Sequence, residues 1–109
     1  MTTFAQDIEQ AFDLTPHTVV IGDNPWFTWD DDDPKPPRWV DEVFLHVPLP
    51  WDEARPLLDY NYNDGFGGED CHPVYVWSDT EVGAVHEYDG ATWVNVLPLV
   101  PVPCTPSTI

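Results

Sequence analysis

Residues 82–97, VGAVHEYDGATWVNVL, constrain the fold more than any other stretch of the chain. Asp89-Gly90 separates two runs of β-forming residues, and Asp-Gly suits a two-residue type I′ turn, in which both central residues need positive φ. A turn of that length leaves one register. It pairs Tyr88 with Ala91, His86 with Trp93, Ala84 with Asn95 and Val82 with Leu97 on one face. Val85, Val94 and Val96 share the opposite face, which reads as the core side, so the His86/Trp93 side is expected to be at least partly open to solvent.

The rest of the chain reads as short elements around this hairpin. Thr3 to Gln6 has the T-x-x-Q form of a capping box, followed by Phe4, Ile8 and Phe12 at helical spacing; the helix should end before Pro16. HTVVIGD (17–23) predicts a strand closed by a turn at Gly22 to Pro25. DEVFLHV (41–47) alternates as a strand does, with Val43, Leu45 and Val47 on one side. A second short helix is expected around 51–60, with Asp52 as N-cap and Pro56 in its first turn. PVYVW (73–77) predicts another strand. The sum is α+β: a single small domain over residues 1–97, with an antiparallel sheet of about five strands, an N-terminal helix and a second short helix. Residues 98–109, PLVPVPCTPSTI, carry a proline every two or three positions and predict an extended tail laid over apolar surface.

Charge narrows the possible partners. Twenty acids face three bases, for a net charge of −17, and Lys35, Arg38 and Arg55 are the only bases. Such a chain repels nucleic acid and anionic membranes and attracts basic proteins at long range. With 14% aromatic residues and periodic apolar blocks, it is not the composition of a disordered tail. Adaptation to high salt would explain the scarcity of lysine but not six tryptophans. There is no apolar run long enough to span a membrane and no charged, apolar leader at the N-terminus, so a reducing cell interior is the expected compartment and Cys71 and Cys104 are expected as separate thiols.

No motif supports catalysis. G-x-S-x-G, H-E-x-x-H and a P-loop are all missing, and DGFGGED lacks both a preceding strand and a lysine for phosphate. No enzyme activity and no cofactor are expected. DYNYNDGFGGED (59–70) places Asp59, Asn61, Asn63 and Asp70 at positions 1, 3, 5 and 12 of a calcium-loop pattern. Its sixth position, however, is Asp64 where the sharp turn needs glycine, so an ordinary Asx-rich turn is the better reading. His46, His72 and His86 match no metal-site spacing.

Binding uses the remaining features together. Trp26, Trp29, Trp39 and Trp51, with Tyr60 and Tyr62, flank the run Asp30, Asp31, Asp32 and Asp33 in a proline-rich middle. Tryptophan is a frequent interface anchor, and acids beside it steer basic partners. Trp51 and Trp77 are the expected core tryptophans. The expected binding set is therefore Trp26, Trp29, Asp30 to Asp33, Trp39, Tyr60, Tyr62, His86 and Trp93, facing a protein with a basic surface.

VPLPWDEARPLLDYNYNDGFGGEDCHPVYVW, VHEYDGATWVNVLP and IGDNPWFTW resemble segments of small acidic orphan proteins encoded by phages of actinobacteria. The resemblance spans most of the chain from residue 18 onward. Such proteins carry no assigned activity, so it implies a context, a phage product acting in the host cytoplasm, and transfers no site residue. Where they usually end in P-R-N-P after the last strand, this chain has LPLVP, which lacks the arginine. The expected function is a non-enzymatic protein that binds and modulates a host protein, such as a nucleic-acid-binding or defence protein, by charge mimicry. The alternatives are a structural or accessory virion component and a small calcium-binding domain.

Overall fold

The computed structural model describes residues 3–23, 40–61, 71–88 and 91–104. The chain runs α1 (Phe4–Ala11), β1 (Thr18–Ile21), a 3₁₀ turn (Glu42–Phe44), β2 (Pro48–Pro50), α2 (Trp51–Leu58), β3 (Val74–Trp77), β4 (Glu81–Tyr88) and β5 (Ala91–Pro98). Its five strands form one antiparallel sheet in the order β2-β1-β3-β4-β5. The fold is α+β.

The hairpin register is the one the Asp-Gly spacing dictates: Tyr88 opposes Ala91, His86 opposes Trp93, Ala84 opposes Asn95 and Val82 opposes Leu97. Residues 89–90 themselves lie outside the described residues. Val85, Val94 and Val96 pack against the core.

Helix α1 starts as its sequence specifies. The Thr3 side chain accepts from the Gln6 N–H, and the Gln6 side chain accepts from the Thr3 N–H. Thr3 Oγ1 also donates to Asp59 at 2.5 Å, and the Phe4 N–H donates to the Tyr60 carbonyl at 2.9 Å, so the chain just after α2 supplies partners to the unpaired start of α1. Glu9 completes the link between the helices by accepting from Trp51 Nε1 and from Arg55 Nε and Nη2. Thr3→Ala is expected to cost about 1 kcal/mol, read as a lower midpoint in urea with an unchanged slope.

Phe4, Ile8 and Phe12 of the helical stripe meet Val19, Ile21, Val74 and Val76 of the sheet in one core, joined by Leu49, Trp51, Ala54 and Leu58. Both helices therefore lie on the sheet face that carries these residues. Trp51 is core, as expected.

Four local expectations are corrected. Residues 41–47 form no strand: a 3₁₀ turn occupies Glu42–Phe44, and only Leu45 bridges to Ile21. Beside β1, strand β2 already pairs with Thr18 to Val20, which leaves only Ile21 for residues 41–47 to meet, and Val43 and Val47 are exposed. His46, at φ 65°, turns the chain out of the extended region. Second, α2 begins at Trp51 with Pro50, not Asp52, as its N-cap, which places Pro56 inside the helix. Pro56 faces solvent, where water can serve the carbonyl it leaves unpaired. Third, Trp77 is only half-buried, because β3 sends Val74 and Val76 into the core and Tyr75 and Trp77 to the opposite face. Fourth, the tail through Cys104 does not bury its apolar side chains: Leu99, Val100 and Val102 remain exposed.

Candidate functional site

The sheet face opposite the helices is built by alternation. Since the core takes Val19, Val74, Val76 and their neighbours, the register sets two rows on the outer side. One row runs Val20, Tyr75, Ala84, Asn95, and the other Thr18, Trp77, Val82, Leu97. His86 and Trp93 extend this face along the hairpin. None of these ten residues is an acid, although the whole chain carries −17.

Aromatic rings dominate this surface. Tyr75 is 61% exposed and Trp93 41%. The His86 and Trp93 rings lie 4.7 Å apart at 59°, and Tyr75 meets Trp77 edge-on at 6.4 Å. Small Ala84 beside Tyr75 leaves that ring standing clear of the sheet. The first pair lies across β4 and β5 and the second along β3, and rings packed on one another in this way hold their orientation before any partner arrives, which lowers the entropy lost on binding. Leu97, 44% exposed, extends the apolar area.

The surroundings are acidic. Arg55 is the only lysine or arginine among the described residues. It is held internally, 3.0 Å from Glu9 and 3.5 Å from Asp59. The hydrogen bonds it donates to Glu9 raise its pKa above the ordinary arginine value against some opposing desolvation, with the charges of Glu9 and Asp59 adding to the rise. With twenty acids against three bases, the chain as a whole keeps a strong negative field.

Of the expected binding residues, the structure brings His86 and Trp93 together on the outer face. Tyr60 is a correction: it is 6% exposed, stacks on Phe4 at 5.6 Å, and its hydroxyl lies 2.9 Å from both the backbone N–H and Nδ1 of His72. It is core because the chain following α2 must return beneath the start of α1. Trp26, Trp29, Asp30, Asp31, Asp32, Asp33, Trp39 and Tyr62 lie outside the described residues. Tyr75 and Trp77 join the site although sequence reasoning did not select them; period-two alternation of PVYVW was the available signal, since it separates the tyrosine and tryptophan from the valines.

For calcium, Asn63 and Asp70 lie outside the described residues, while the Asp59 carboxylate is already engaged by Thr3 and Arg55. Among the described residues no group of three or more His, Cys, Asp or Glu converges as a metal site would require. His72 is buried beside Tyr60, His46 is exposed, and His86 faces Trp93. Nor is any helix among the described residues long and apolar enough to cross a membrane. In comparisons with protein-family models, curated proteins and solved structures, nothing matches this chain.

Proposed function

We propose that the chain is a non-enzymatic, phage-encoded binding protein whose outer sheet face docks on a basic host protein in the bacterial cytoplasm. The observation that carries this reading is the acid-free aromatic face of Tyr75, Trp77, His86 and Trp93 within a chain of net charge −17. Rigid aromatic anchors at the centre supply the affinity, and the surrounding acids steer a cationic partner and fix its orientation. A nucleic-acid-binding or defence protein fits this chemistry, because its lysines and arginines accept dense negative charge from either phosphate or carboxylate.

The test is capture of host proteins on the immobilised chain at low and high salt. A specific partner should be retained at low salt, leave at about 1 M salt, where the screening length falls to about 3 Å, and be displaced by duplex DNA. Trp93→Ala should weaken retention about tenfold or more, equivalent to about 1.4 kcal/mol, without lowering the melting temperature by more than a few degrees. Retention unchanged by salt and by Trp93→Ala would contradict the proposal.

A second reading, a structural or accessory virion component held by aromatic and proline-rich surfaces, draws on exposed Leu99, Val100 and Val102. It expects the chain in purified particles, where an intracellular modulator is not retained.

A further inference from the structure

The two edges of the sheet differ in kind. At one end β2 is three residues long and contains Pro48 and Pro50, the short, proline-bearing form that discourages further pairing. At the other end β5 runs eight residues, ATWVNVLP, without a single charge. Long, uncharged edges are the ones that accept another strand.

The hydrogen-bonding direction along β5 follows from the hairpin. With two residues in the turn, Tyr88 and Ala91 exchange both backbone bonds, so Trp93, Asn95 and Leu97 bond toward β4 while Thr92, Val94 and Val96 direct N–H and C=O outward. Among the described residues no backbone carbonyl outside the hairpin accepts from Val94 or Val96.

Where β5 ends, the Leu99 N–H donates to the Thr80 carbonyl at 3.0 Å, which turns the tail beside the β3–β4 connection. The result is a groove of about 740 Å³ whose apolar lining includes Val96, Val100 and Val102, with Asp13, Asp79 and Glu81 also lining it. Alternate side chains of an incoming strand point to opposite faces, so cationic ones on the groove side would meet the acids while apolar ones on the other side would rest beside Trp93 and Leu97. A second copy of this chain would bring the same acids and another −17 to the same edge.

We infer that the β5 edge takes up an extended, basic segment of the partner as a sixth strand, with its cationic side chains reaching Asp13, Asp79 and Glu81 in the groove. This deepens the binding reading above and rests on it. Main-chain bonds to Thr92, Val94 and Val96 supply affinity, and the alternation of apolar and basic residues supplies selectivity.

The test uses a capped peptide of alternating valine and lysine, about ten residues long, enough to cover a strand of ordinary length. Its affinity for the full chain is measured by fluorescence anisotropy, alongside a glutamate-for-lysine version and two versions N-methylated at every lysine or every valine. The lysine peptide is expected to bind and the glutamate peptide not to. One methylated version should lose at least about tenfold and the other should not, because only alternate amides of a paired strand face the edge. Equal binding of both methylated versions and the unmodified peptide overturns strand addition but leaves the basic-partner reading standing. Equal binding of lysine and glutamate peptides overturns both. Sedimentation showing a dimer that excludes the peptide also overturns the inference, by giving the edge to a second copy.

Discussion

Gly83→Leu is expected to lower the stability of the chain by about 3 kcal/mol, the upper range for overpacking a filled core. Gly83 lies on the core face of β4, where an added Cβ would stand 2.8 Å from Phe12 Cζ, 3.1 Å from Phe12 Cε2 and 3.3 Å from the Asn95 carbonyl oxygen. The ring of Phe12, 6% exposed, therefore occupies the space a side chain would need. Because the carbonyl belongs to the paired strand, the phenylalanine must move, and it closes the helical stripe that joins α1 to the sheet. For a domain of this size the melting temperature should fall on the order of 10–15 °C. Phe12→Leu withdraws the clashing ring atoms. Gly83→Leu should accordingly cost less in that background, and strict additivity in a double-mutant cycle would contradict this packing.

The second large effect is expected from Tyr60→Phe, at about 2 kcal/mol. The phenyl ring would keep its place against Phe4, so the apolar contact survives. What disappears is the hydroxyl that accepts from the His72 N–H and meets His72 Nδ1, each at 2.9 Å, at a site where His72 is 4% exposed. Removing an acceptor from a buried donor costs more than the bond itself contributes, because water does not replace it. Hydrogen exchange at the His72 amide should accelerate beyond the change at β1 and β3, which share the core but not this bond.

These two sites show why parts of the structure were legible in the sequence and others were not. The Asp89-Gly90 hairpin and the Thr3/Gln6 box are local codes: residue type and spacing alone fix the geometry, and β4, β5 and the start of α1 follow them. The alternation in 41–47 is equally clear, yet a strand also needs a free stretch of neighbour, and beside β1 the residues Thr18 to Val20 are taken by β2, which leaves only Ile21 to bridge Leu45. Aromatic residues divide in the same manner. Trp51 and Tyr60 are core while Trp77 is half-buried and Trp93 exposed, since burial is decided by which face the helices cover.

The candidate face was partly readable. His86 and Trp93 follow from the hairpin register, whereas Tyr75 and Trp77 join them only once β3 is known to lie beside β4. The acidity of the chain is plain in its sequence. That the outer rows contain no acid is a property of register, because the Glu81 carboxylate is drawn to the Asp13 N–H at the end of α1.

The most direct test of the binding face is a nuclear magnetic resonance titration of the full chain with the alternating valine–lysine peptide. The predicted result is a localised response: the Thr92, Val94 and Val96 amides and the Trp93 indole shift, Tyr75 ring signals follow, and Trp51 and the Val19 and Val76 amides of the core stay in place. Shifts confined to residues away from β3, β4 and β5, or no shifts at a concentration where the peptide demonstrably binds, would contradict it.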